Sequence, residues 1–113
     1  MLVVYGVIPF MKIDGITLYP FIFVRKKSLL QNKRLINHEK IHVKQELELL
    51  IVPFYLLYLT HYLYNLLKFK NHRKAYLNIF FEKEAYQNDY DLKYLKNRKV
   101  FESFKYLLSK QIN

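Results

Sequence analysis

Two histidines four residues apart, with a glutamate directly after the first, make Asn37-His38-Glu39-Lys40-Ile41-His42 the segment whose residue types and spacing could do chemistry. On a helix, residues i and i+4 share a face, so His38 and His42 project together and Glu39 lies about 100° around from His38. Two neutral imidazoles so placed can both reach a zinc ion about 2 Å away. The glutamate between them need not bind the ion. It can hydrogen-bond a zinc-bound water, take its proton during attack on a carbonyl, and pass that proton to a leaving amine. Three protein ligands leave a position open for water, which separates catalytic from structural zinc.

The helical wheel gives this motif a setting. Lys33, Asn37, Lys40, Lys44 and Glu48 form one polar stripe, while Leu35, Ile36, Val43, Leu49 and Leu50 lie away from it. His38, Glu39 and His42 fall opposite the lysines, and Glu46 joins them. Ionisable groups facing a core are costly unless they are paired or ligate a metal. A pair of incidental surface histidines belongs on the lysine side.

A third ligand must come from a second helix. The segment Phe80-Phe81-Glu82-Lys83-Glu84-Ala85-Tyr86 offers Glu82 and Glu84 around a small alanine that lets two helices approach. Phe81, Ala85, Asn88 and Leu92 mark the inner face. The two glutamates sit on opposite shoulders of it, so periodicity does not choose between them. His61, in an apolar run, and His72, in a basic turn, are weaker candidates.

The His-Glu-x-x-His segment followed by Phe-Glu-Lys-Glu-Ala-Tyr resembles the gluzincin metallopeptidases, a group of zinc hydrolases in which the motif is completed by a glutamate on a later helix. Many members carry Glu-x-x-Ala-Asp or Glu-x-Glu-Ala-Asp there, the first glutamate binding zinc. The resemblance, which spans residues 36–91, implies Glu82 as that ligand and Ala85 as the alanine, and it places Tyr86 where Asp is usual. Small size and strands ahead of the motif are similar to the minigluzincins. It implies His38, His42 and Glu82 as zinc ligands, Glu39 as general base, and an extended peptide or protein substrate adding to an edge strand within the first two dozen residues. Tyr86 cannot supply the charged acceptor that metal-bound histidines use. Glu46, Asp89 or a backbone carbonyl is then expected to supply it, and Tyr86 or another tyrosine to stabilise an oxyanion. The departure at Tyr86 also motivates an alternative, a zinc-binding scaffold without turnover.

The elements that must position these residues are legible in outline. A chain of 113 residues suffices for one domain with one modest core, so residues 1–113 form a single unit. Leu2 to Val24 is rich in Val, Ile, Phe, Tyr and Thr and reads as strands. Asp14-Gly15 signals a two-residue hairpin turn that pairs Ile13 with Ile16 and sets Pro9 opposite Pro20, where regular pairing stops. Ser28 and Gln31 fit a capping box opening a helix from Leu29 to Ile51, which Pro53 ends or kinks. Lys68 to Lys74 reads as a basic turn or a short helix, with further helices over residues 80–97 and 100–110. Strands followed by helices predict an α+β fold, a hairpin or small sheet packed on a mostly helical domain with the motif on a central helix.

Composition bounds the partners. No cysteine is present, so any metal site is built from His, Asp and Glu. The net charge of +10 favours anionic partners, an acidic membrane surface among them. Leu49 to Leu67 carries no Asp, Glu, Lys or Arg and nearly matches a membrane span in length. Its four tyrosines, Tyr55, Tyr58, Tyr62 and Tyr64, with His61 and Asn65, favour a core helix first, an interfacial helix second and a span last. A basic membrane-surface protein is thus a further alternative. Nucleic-acid binding is disfavoured, since the aromatic residues fall in apolar runs and no recognition motif accompanies the charge. The apolar N-terminus lacks a basic leader region and a small-residue cleavage site, so it does not read as a signal peptide. The expectation is a cytoplasmic protein, peripheral to a membrane if the apolar run is interfacial.

Overall fold

The computed structural model describes residues 2–5, 15–19 and 21–112, the first four as backbone alone. Three strands open the fold: β1 (Leu2–Tyr5), β2 (Gly15–Leu18) and β3 (Phe21–Val24). The sheet order is β1-β3-β2, with β1 parallel and β2 antiparallel to β3. β2 and β3 form a hairpin, with Leu18 opposite Phe21 and Ile16 opposite Phe23. The expected turn at Asp14-Gly15 and the pairing of Ile13 and Pro9 lie outside the described residues. Along β3 the alternation of strand side chains buries Ile22 and Val24, which pack with Val43 of the following helix.

A short 3-10 turn, Lys27–Gln31, leads into α1 (Lys33–Glu48). The capping box at Ser28 does not form. Lys27 to Gln31 close into the tighter turn, and Asn32 caps α1 instead, its side-chain oxygen accepting from Leu35 N at 3.0 Å. Such a cap contributes about 1 kcal/mol.

α1 ends at Glu48, short of Ile51. Leu50 and Ile51 both take positive φ, 60° and 67°, unusual for side chains of their bulk. Ile51 N donates back to Glu46 O at 2.7 Å, and Pro53 sits in the first turn of α2 (Val52–Phe69), where its missing N–H costs nothing. The two helices are bent by 114° at this elbow, which folds α2 back alongside α1. The basic stretch takes the short-helix alternative in part: α2 runs to Phe69, and α3 (His72–Leu77) starts at a cap from Asn71.

The helix expected over residues 80–97 is broken into α4 (Phe80–Asn88) and α5 (Tyr94–Asn97), leaving Leu92 exposed rather than on the inner face. A 3-10 helix, Glu102–Leu108, occupies the stretch expected to be helical near the C-terminus. Phe54, Ile79, Phe80 and Phe81 form the larger core cluster, with the rings of Phe54 and Phe81 4.5 Å apart. Burying Phe81 completely contributes on the order of 2–3 kcal/mol. α1 touches the sheet on one side and α4 on the other, which makes it the central helix of an α+β fold.

Candidate metal centre

The buried residues of α1 include His38, Glu39, Ile41, His42, Val43, Gln45 and Glu46, so the face opposite the lysines is the core face. Asn37 is the exception to the expected polar stripe. It is buried, and its amide donates to the carbonyls of Asp89 at 2.9 Å and Asp91 at 3.0 Å. That pair of bonds ties α1 to the end of α4, where a lone exposed asparagine was expected.

His38, Glu39 and His42 form a buried cluster whose ligand atoms lie within 4.8 Å of one another and could hold a metal ion. α4 brings Glu82 to the same point. The Nε2 atoms of the two histidines are 3.2 Å apart, and Glu82 Oε1 lies 3.2 Å from His38 Nε2 and 3.0 Å from His42 Nε2. This near-equilateral triangle matches tetrahedral zinc, whose ligands at about 2.0–2.1 Å stand roughly 3.3 Å from each other.

The far ring nitrogens are each committed to an acceptor. His38 Nδ1 donates to Asp89 Oδ2 at 3.0 Å, and His42 Nδ1 donates to Gln45 Oε1 at 2.8 Å. Both bonds place the Nδ1 proton and turn Nε2 toward the shared point, the tautomer a metal ligand needs. Asp89 is itself held by Arg34, Nε to Oδ1 at 2.6 Å. Gln45 is held by donating to Phe81 O at 3.1 Å and Glu84 Oε1 at 2.9 Å. Tyr58 on α2 donates to Glu82 Oε2 at 2.6 Å, leaving Oε1 aimed at the histidines.

Electrostatics follow from this packing. Burial opposes the charge on Glu82, but the two imidazoles outweigh it and hold its carboxyl well below the usual range. Burial likewise opposes protonation of His42, yet the Glu82 carboxylate and its hydrogen bond push the ring up to about 10. His38 is also raised, burial being overcome by Asp89 and Glu82. Burial pushes the Glu39 carboxyl up against the pull of both histidines.

Glu39 is set by β2. Thr17 Oγ1 lies 3.0 Å from Glu39 O and 3.1 Å from Glu39 Oε1, close enough to donate to either. A Cβ at Gly15 would be tight only against Phe23 O of the neighbouring strand, at 3.3 Å, and would stand in ordinary contact with Glu39 Cγ at 3.5 Å. In front of the cluster opens a cavity of about 370 Å³, with Glu39, His42 and Glu82 on one wall. β2 and the aromatic rings of Phe54, Tyr55, Tyr58 and Tyr76 make the others.

The remaining candidates lie elsewhere. Glu84 is fully buried and meets neither histidine directly; it bonds Arg98, Ser103, Tyr94 and Gln45, the last of which links it to His42, and its carboxyl is held low by the Arg98 guanidinium against the cost of burial. Glu46 is buried but turns to Tyr55 OH rather than to a histidine, and burial raises its carboxyl. Tyr86 lies against the His38 ring, centroids 4.3 Å apart, and shares a 2.9 Å hydrogen bond with Tyr76 OH. His61 accepts from Phe80 N at 3.0 Å and His72 pairs with Tyr62 at 2.7 Å; neither reaches the cluster. Gln45, Thr17, Tyr58 and Arg34 were not singled out in the sequence. Gln45 had a signal, three residues after His42 on the same helix; the others meet the site only through chain folding.

The chain therefore carries a buried His-Glu-x-x-His cluster with the geometry of a metal site, on a helix held between a small sheet and α4. No protein-family model, curated protein or solved structure matches it.

Proposed function

We propose that this chain is a small zinc-dependent peptidase of gluzincin type. The observation that carries the reading is the triangle of His38 Nε2, His42 Nε2 and Glu82 Oε1 at 3.0–3.2 Å, with both Nδ1 atoms already bonded to outer acceptors. His38, His42 and Glu82 would hold the ion, and Glu39 would not be required as a ligand. Bound zinc polarises a carbonyl and lowers the pKa of water toward neutrality. Glu39, its carboxyl raised by burial, accepts the proton of the attacking water and returns it to the leaving nitrogen. Thr17 orients Glu39 through the 3.1 Å contact to Oε1. β2 is an edge strand among the described residues and borders the cavity, so an extended peptide adds beside it. The cavity's aromatic walls then take an apolar substrate side chain.

A zinc-binding scaffold without turnover is the second reading, and Tyr86 at the position where the resemblance expects Asp is what favours it. Two measurements separate the readings. Plasma mass spectrometry of untagged protein is expected to find about one zinc per chain, lost in His38→Ala/His42→Ala. Glu39→Gln is expected to keep zinc and lower peptide hydrolysis by about 10²–10⁴-fold. Zinc without cleavage of any member of a broad peptide library assigns the scaffold; no zinc in the wild type after zinc addition rejects both.

A further inference from the structure

The outer face of α2 is apolar and uncovered among the described residues. Val52, Leu56, Leu59, Leu63 and Leu67 recur at three- and four-residue steps, and they are 65%, 62%, 54%, 48% and 79% exposed. They form one stripe opposite Phe54 and Asn65, the buried residues of the helix. The stripe is about 22 Å long at 1.5 Å per residue. Single exposed leucines are ordinary, whereas a continuous apolar row marks an interaction surface.

Charge tells what kind of surface it meets. From Leu49 to Phe81 there is no Asp or Glu, while Lys68, Lys70, Arg73 and Lys74 follow the stripe directly. A cleft of about 430 Å³ beside α2 is lined by Lys68, Lys83 and Tyr64 together with Leu107 and Leu108, the last 94% exposed. Lys83 is buried there, donating to Ser109 O at 3.2 Å, and no carboxylate among the described residues pairs with it. That cleft also takes in His61 and Asn65, so it opens on the side of α2 away from the leucine stripe, and it is the exposed basic residues following the stripe that supply the charge for an anionic surface. A second copy of the chain would present the same acid-free segment and no counter-charge.

Among the described residues, no single helix is long and apolar enough to cross a membrane. α2 is suited to lying along one instead, its apolar face sunk about 5–10 Å into the head-group boundary.

We propose that the α2 outer face and its flanking lysines attach this protein to an anionic lipid surface. The attachment is independent of the metal reading. It orients the molecule: the stripe is turned away from the catalytic cavity, because Tyr58 and Phe54 on the opposite face line that cavity.

The test is co-sedimentation of the full chain with vesicles of phosphatidylcholine alone and of phosphatidylcholine with phosphatidylglycerol. The wild type is expected to pellet with the anionic vesicles at low salt and to be released as salt rises. Leu59→Asn/Leu63→Asn is expected to lower partitioning about tenfold or more, and Lys68→Gln/Lys70→Gln to do so about tenfold. All four side chains are exposed, so circular dichroism should report an unchanged fold; if one variant fails to fold, the other carries the test. Wild-type protein remaining in solution with anionic vesicles overturns the proposal, as does a leucine variant that pellets like wild type. A wild-type dimer in sedimentation velocity without lipid, reverting to monomer in the leucine variant, also overturns it and gives the face to a second copy.

Discussion

Asp89 Oδ2 accepts a hydrogen bond from Nδ1 of His38 at 3.0 Å, across 51 residues of chain. Asp89 follows the last residue of α4, one helical turn beyond Tyr86, so it performs from a later position the task that Tyr86 has no chemistry for. Arg34 fixes the other oxygen from the α1 side, and Asn37 bonds the Asp89 carbonyl. The first turn of α1 thus grips the end of α4 and carries His38 with it.

Removing that acceptor should loosen the metal rather than the fold. Asp89→Ala is expected to weaken zinc binding by about 10–100-fold, measured by competition with a chromophoric chelator. Asp89→Asn should recover part of the loss, because an amide oxygen still accepts from Nδ1. Equal affinity in Asp89→Ala and wild type would show that His38 needs no outer partner.

Glu82 and Glu84 should separate cleanly by readout. Glu82→Ala is expected to weaken zinc by at least about a hundredfold, beyond what an outer hydrogen-bond partner contributes. Glu84→Ala should instead destabilise the fold by about 3–5 kcal/mol in urea, because it takes a partner from the buried guanidinium of Arg98. Glu48, 2.7 Å from Arg98, limits that loss. The opposite ranking in the zinc titration would move the ligand to Glu84.

The pH dependence has opposite signs with and without metal. In the metal-free chain His42 is raised from 6.5 to about 10, burial being outweighed by Glu82. Its contribution to stability is therefore complete below about pH 6.5 and is lost as pH rises toward 10. Glu82 is lowered, so its contribution is present above about 4.5 and lost as pH falls through its depressed value. Zinc must displace the His42 proton, so zinc binding strengthens with pH. The rise in Tm on adding zinc should grow from pH 6 to pH 8 in scanning calorimetry. A rise that is constant over this range would exclude proton displacement at the site.

Several features of the candidate site could be read before any fold was known. A four-residue spacing puts His38 and His42 on one face by helix geometry alone, and the lysine stripe makes that face the inner one. The same kind of local reasoning located the acidic pair on a later helix, the strands ahead of the motif, and the break near Pro53. It erred where neighbouring signals compete over short range, as at Ser28 against Asn32, or where distant residues hold the chain, as after Asn88, where Asn37 bonds the carbonyls of Asp89 and Asp91.

By itself, then, the sequence determined the helix bearing the motif, its buried face and the α+β order of elements, because these depend on periodicity and on residues close in the chain. Tertiary structure alone decided which glutamate meets the histidines. Glu82 and Glu84 are equivalent by period; the direction from which α4 crosses α1 turns one toward Nε2 and the other toward Arg98. It also decided that Asp89 orients the His38 ring, that Thr17 reaches Glu39, and that the leucines of α2 face outward. Each of these depends on the packing of elements distant in the chain, and the 114° elbow at Leu50 and Ile51 that brings α2 against α1 has no local signature beyond Pro53.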